Sequence, residues 1–253
     1  MFSEFNITNW VASCVLLSLR ISPIFAFSPP FTLMRIPKLF KVILGLGLSS
    51  VIISGHPQQV LLDLRFSVTI PTAICELALG LTIALAFQLV FAAIQFVGRT
   101  IDIQAGYGLA MVVDPTSRAQ MPLVGTLLAY IAGAAFFANS GHFEIFHLLS
   151  DSMEVIPLGG WSLPHSIGPL TEYMSAVFLV AFGAAGFVIL ALFLADMVIA
   201  LMSRTVPQMN VLVLGFQVKS LILLLVLPVS FGAGGAVLVR LMRMALEHLP
   251  GLL

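Results

Sequence analysis

Four ionisable side chains sit inside long apolar runs: Arg20, Glu76, Asp196 and Lys219, with Gln88 and Gln95 as neutral companions. A charge at membrane depth is expensive, so it faces a partner or a water-filled cavity. Two chemistries fit. An acid of one run set against Arg20 or Lys219 fixes how helices pack, whereas a succession of such groups carries protons or substrate. Metal chemistry has less to build on. His142 and His147 are five residues apart, a spacing that a helix aligns less well than three or four, and capping or local hydrogen bonding suits them better. Asp102 and Asp114 lie in an interrupted apolar region, with nothing around them resembling a protease site. There is no zincin motif, nucleotide-binding glycine loop or Ser nucleophile elbow. The expectation is a protein without catalytic centre, cofactor or metal.

The elements that position these groups follow from composition. Of 253 residues, 60% are hydrophobic and 9% charged, with mean hydropathy +1.11. Soluble domains carry about 25% charged residues, and no soluble surface can be built from so few. The chain is therefore an integral membrane protein or part of an apolar membrane-associated assembly. Its formal net charge is zero and it has no basic patch, which argues against nucleic-acid binding. Cys14 and Cys75 both lie in apolar runs and read as buried free thiols. The N-terminus lacks a basic n-region and a small-residue cleavage site, so it reads as a retained first helix.

Apolar stretches of about 20 residues, the length that crosses a bilayer, occur at Trp10–Phe27, Val42–Leu62, Pro71–Val97, Pro122–Asn139, Tyr173–Met202 and Val211–Val239. The third and fifth are longer than needed and must tilt, kink or project. Pro228 should kink the sixth. Between the fourth and fifth, Gly141 to Glu172 carries four acidic residues and no Lys or Arg. Its apolar spacing predicts a short amphipathic helix over Phe143–Val155. Arg35, Lys38, Lys41, Arg99, Arg118 and Arg204 fall on one side and Arg65, Arg240 and Arg243 on the other, which favours both termini outside the cytoplasm. Small residues gather at "AFGAAG" (181–186) and "FGAGGA" (231–236), where helix backbones can approach closely.

Two segments are too polar and glycine-rich for plain membrane packing. One is "GYGLAMVVDPTSRAQMP" (106–122). The other is "DMVIALMSRTVPQMNVLVLGFQVKS" (196–220), where the residue before Pro207 is pushed out of helical geometry. Arg204 to Asn210 thus reads as a corner between two helices, with Gln208 and Asn210 able to satisfy freed backbone groups.

Together these stretches resemble the FliR family of flagellar export-gate proteins and, more distantly, its injectisome SctT counterparts. The central segment is similar through Glu76, Gln95, Gly98, Gly106, Asp114-Pro115 and Pro122. The corner is similar through Pro207, Gln208, Asn210, Gly215, Phe216 and Lys219. "ANSGH", "DSMEVIPLG", "LRISPIFAFSP" and "RIPKLFKVILGLGLS" extend the likeness over nearly the whole chain. Val218 departs from the family's pattern, without consequence for the reading, and "VDPTS" and "GH" look flagellar rather than injectisome-like.

The resemblance implies an all-α, membrane-associated fold in one domain, 1–253. About six long apolar, partly kinked helices would form hairpins that pack into a larger helical assembly. It implies a non-enzymatic subunit that joins FliP-like and FliQ-like subunits, with an FlhB-like one, in the bacterial inner membrane. Unfolded flagellar substrates would pass through, and part of the assembly would stand on the periplasmic side. Arg20, Glu76, Gln95, Asp196, Arg204, Pro207, Gln208, Asn210 and Lys219 would then be structural or pair between subunits. Residues 106–122 would point into the pore. Gly106 and Gly108 would permit left-handed backbone. Leu109, Met111, Val112 and Val113 would form an apolar plug, Asp114-Pro115 the turn out of it, and Pro122 its end. Alternatively, these side chains pack only against neighbouring subunits. Two other readings are a secondary transporter with a midplane site at the broken helices and a scaffold without a pore.

Overall fold

The computed structural model describes residues 7–33, 37–60, 66–107, 122–160, 168–206, 208, 210–232 and 235–252. Among these residues every regular element is helical. The α-helices are α1 (Ile7–Phe27), α2 (Pro29–Leu33), α3 (Lys38–Gly55), α4 (Phe66–Ala105), α5 (Leu123–Ala138), α6 (Gly141–Val155), α7 (Gly168–Thr205), α8 (Val211–Gly232) and α9 (Gly235–Leu252). Four are long and apolar enough to cross a membrane: Ile7–Phe27, Ile70–Ala105, Gly168–Thr205 and Val211–Phe231. The pair α5 and α6 adds a fifth if its two members, bent by 67°, count as one span.

Two of the six expected spans are corrected. The second was read as Val42–Leu62, but α3 stops at Gly55, where His56, disfavoured from helical backbone by Pro57, turns to φ −127° and ψ 65°. A single 3-10 turn, Pro57–Gln59, follows. The sixth was read to Val239, but α8 ends at Gly232 and a separate α9 begins at Gly235, on either side of the glycine-rich "GAGG". Their characters differ. On α9, Leu238, Leu241, Met242 and Ala245 are buried while Arg240 and Arg243 are exposed, an amphipathic stripe at helical spacing. The expected short helix is α6. Pro228 sits inside α8.

The chain divides into two compact units, residues 1–89, 136–173 and 245–253, and residues 90–135 and 174–244. In the first, α1 packs along α3 and α4. Gly45 of α3 lies so near Ser22 that a Cβ would come within 2.6 Å of the Ser22 Oγ. Gly80 of α4 lies against the Arg20 backbone with no room for a side chain. Leu17, Ile21 and Ile24 of α1 are fully buried. Phe25, Phe31, Phe87 and Phe136 form an aromatic cluster, Phe31 and Phe87 each edge-on to Phe136 with centroids 6.2 and 6.1 Å apart, the preferred geometry of such rings. The turn into α6 is made at Ser140, whose φ is +60°, and Gly141 fits under the Phe136 ring where a Cβ would collide. "ANSGH" is therefore a bend.

In the second unit, α4 and α5 cross where Gly98 meets the Gly125 backbone, again with no room for a Cβ. Phe96 of α4 packs on Phe182 of α7 at 5.7 Å, and Ser230 of α8 donates to the Ala184 carbonyl of α7.

Candidate functional site

In the first unit the buried charges close on each other. Arg20 and Glu76 are both 0% exposed. Arg20 Nε donates to Glu76 Oε2 at 2.6 Å and Nη2 to Oε1 at 3.1 Å, a bidentate arrangement that suits a planar guanidinium. Nη2 also donates to the Ile156 carbonyl at 3.1 Å. Nη1 donates to Ser152 Oγ at 3.0 Å and to the Ser152 carbonyl at 3.3 Å, with Met153 Sδ at 3.5 Å. All five guanidinium donors are thus engaged. Glu76 Oε1 accepts a further bond from the Gly159 N–H at 3.0 Å, where Gly159 has φ +77°. Gly80 stands one helical turn beyond Glu76, so its missing side chain lets α1 come close enough for the pair to form. The "DSMEVIPLG" stretch supplies Ser152, Met153, Ile156 and Gly159: it is the socket of this ion pair.

In the second unit, α4 ends in a glycine cap. Gly106 has φ +91°, its N–H bonds to the Ile103 carbonyl at 3.1 Å, and the Tyr107 N–H bonds to the Asp102 carbonyl at 3.0 Å. These two bonds with a left-handed glycine form a Schellman motif. The next free carbonyl, Gln104, accepts from Lys219 Nζ of α8 at 3.2 Å, and Lys219 also pairs with Asp196 of α7. One cation of α8 therefore joins the end of α4 to α7, placed where the α4 macrodipole is negative. Tyr107 is held to α8 as well, its ring 5.6 Å from Phe216 and its hydroxyl 3.4 Å from Ser220 Oγ.

The other end of the 108–121 segment returns to the same turn of α4. Both carboxylate oxygens of Asp102 accept the Val124 N–H, at 3.0 and 3.1 Å, capping α5 just after Pro122. Asp102 thus holds both flanks, by its carbonyl on Tyr107 and its carboxylate on Val124. Gly98, one turn before Asp102, allows α5 its close crossing. The arrangement is a clamped stem, and a cavity of about 300 Å³ beside it is lined by Gly106, Asp196, Gly215, Phe216 and Lys219.

The remaining expected residues distribute as follows. At the corner, α7 ends at Thr205 and α8 begins at Val211. Asn210 Oδ1 accepts the Val213 N–H at 3.3 Å, an N-cap of the expected kind, while Arg204 and Gln208 are exposed. Gln95 is exposed on α4. Gly108, Leu109, Met111, Val112, Val113, Asp114, Pro115 and Pro207 lie outside the described residues. Of the two alternatives for these charges, the structure holds the in-chain one for Arg20 with Glu76 and for Lys219 with Asp196. Cys14 and Cys75 are free thiols, the first buried. Among the described residues no group of three or more His, Cys, Asp and Glu could hold a metal. Sequence reasoning missed Asp102 as the clamp and Ser152 and Gly159 as the socket. The signal for Asp102 was a lone acid one turn before a helix-ending glycine.

Fold and site together define a membrane protein, helical throughout its described residues, whose paired charges organise internal joints, one of them at the flanks of residues 108–121. A family model described as bacterial export proteins, family 1, matches residues 11–245, and the chain belongs to that family. The flagellar biosynthetic protein FliR of Bacillus subtilis (strain 168) is 27% identical over 261 aligned residues, covering 98% of this chain and 97% of the relative. FliR of Escherichia coli (strain K12) is 27% identical, covering 78% and 76%. The surface presentation of antigens protein SpaR of Salmonella typhimurium is also 27% identical, covering 90% and 86%. The chain is a component of a flagellar or type III export apparatus.

Proposed function

We propose that the chain is a non-enzymatic subunit of the flagellar protein-export gate. It assembles with FliP-like and FliQ-like subunits, beside an FlhB-like one, around a channel for unfolded substrates in the bacterial inner membrane, part of it on the periplasmic side. Residues 106–122 plug that channel. Leu109, Met111, Val112 and Val113 form an apolar constriction, which stops water and ions without a chemical lock, and methionine is soft enough to yield to a passing chain.

The observation that supports this reading is the stem. A plug has to stay anchored while its tip is displaced, and Asp102, Gly106, Pro122 and Lys219 surround the base of the one segment concerned. Anchoring both flanks to one turn of α4 confines displacement to the residues between them. A second support is the surface of α8, of whose apolar window only 11% is buried within the chain; Leu212, Leu221, Leu224 and Leu225 are all exposed. Such a helix needs lipid or neighbouring subunits to cover it.

Co-expression with and without FliP-like and FliQ-like subunits tests the proposal. The expected result is a stable hetero-complex, with the chain degraded or aggregated when expressed alone. A chain that purifies by itself as a stable monomer or homo-oligomer, and ignores both subunits, would instead behave as a transporter and overturn the reading.

A further inference from the structure

The first unit holds a second cavity, of about 570 Å³, which the buried ion pair does not use. That volume lies within the range of ligand sites, about 300–1,000 Å³. Its walls are Phe, Leu and Ile side chains of α1, α2, α3, α5 and α6, together with Lys41, His142 and His147; no acid lines it. Among the described residues no carboxylate pairs with any of these three. Glu144 and Asp151, on the same helix as the histidines, are not part of the lining.

The placement of the polar side chains is ordered. On α3, Lys41, Leu44 and Leu48 follow at steps of three and four, so one helical face presents a cation and then hydrocarbon. On α6, His142, Ile145 and Leu149 repeat the same steps, and all six residues line the cavity. The two helices run in the same direction, because His56 at the end of α3 lies 3.8 Å from Glu154 near the end of α6. Lys41 and His142 therefore stand at one end of the cavity and the leucines further in. His147 lies on the α6 wall between them.

We propose that this cavity seats an acyl chain of an anionic glycerophospholipid, with the phosphate at Lys41 and His142. The charge and shape favour lipid over peptide. The eight residues from Lys41 to Leu48 span about 10 Å of helix, a wall along which a hydrocarbon chain needs no polar partner. An extended peptide there would leave its backbone groups unsatisfied. The Lys41 ammonium at this end attracts an anionic headgroup, the His142 ring can hydrogen-bond its phosphate, and in sequence Arg35 and Lys38 precede Lys41.

Native mass spectrometry of the full-length chain, purified with its partner subunits if it requires them, tests this. Phosphatidylglycerol or phosphatidylcholine is added at equal mole fraction, and each variant is first checked for wild-type helix content by circular dichroism. Wild type should retain phosphatidylglycerol at least fivefold better than phosphatidylcholine. Lys41→Gln should remove that preference, Lys41→Arg should keep it, and Leu48→Trp, which fills the cavity, should lower retention of both lipids. Equal retention of the two lipids by wild type, or an unchanged preference in Lys41→Gln, would overturn the proposal. So would a photo-cross-linker at Phe143 that captures a protein chain rather than lipid in cells, since the cavity would then be a protein interface.

Discussion

Arg20→Leu is the most informative single perturbation of the fold. It deletes the guanidinium that supplies every charge-assisted bond to Glu76 and leaves that carboxylate, 0% exposed, with one remaining donor, the Gly159 N–H. Breaking a buried pair by removing one partner costs about 3–5 kcal/mol. Against a total stability of about 5–15 kcal/mol, that loss alone brings the unit near its threshold. The double variant Arg20→Leu/Glu76→Leu removes both charges and should recover at least about 2 kcal/mol of the deficit, because well-packed apolar replacements of buried pairs are often neutral. Denaturant unfolding in mixed micelles, followed by helical circular dichroism, measures all three differences and the coupling between the sites. The exchanged pair Arg20→Glu/Glu76→Arg should not recover stability. The Ser152 and Ile156 groups around residue 20 are acceptors and the Gly159 group at residue 76 is a donor, so the reversed charges meet the wrong partners. A single variant within about 1 kcal/mol of wild type, or full rescue by the exchanged pair, would refute the idea of a directional socket.

Gly80→Ala and Gly98→Ala should each destabilise by about 1–3 kcal/mol through overpacking, read by the same unfolding assay, because their Cβ atoms would strike the Arg20 and Gly125 backbones. Gly183→Ala, where nothing stands within 4 Å, should stabilise the isolated helix by about 0.5–1 kcal/mol yet weaken co-purification if a partner helix lies there. Asp102→Ala should cost about 0.5–2 kcal/mol for the lost cap and speed limited proteolysis between residues 107 and 122. Gly106→Ala, forced to φ +91°, should cost about 1–2 kcal/mol and produce the same proteolytic change.

Much of this arrangement was legible in the sequence, and the failures have physical causes. Four isolated charges in apolar runs called for a partner or a cavity, because an unpaired charge in that setting is too costly to keep. Which acid faced which base was not legible, since pairing across tens of residues depends on helix crossings set by Gly80, Gly98 and Gly125. The break between α5 and α6 was legible, in a span ending at Asn139 and a helix starting at Phe143, but its 67° bend was not, because Ser140 adopts a left-handed φ that Ser rarely takes. The two misjudged span ends both come from reading hydropathy through a breaker, at His56-Pro57 and at the glycines after Phe231. Asp102 escaped attention because its work is done with backbone N–H groups, which leave no pattern of side-chain types.

The central claim is that residues 106–122 seal a channel from a clamped stem, and ion leakage through assembled gate complexes tests it most directly. The complex carrying a deletion within residues 108–118 would be reconstituted into dye-loaded vesicles beside wild type, with subunit composition verified by gel. The account predicts an intact complex that leaks small ions and dye while wild type stays sealed. Vesicles that remain sealed with the segment shortened, in a complex that still supports secretion in cells, would contradict it.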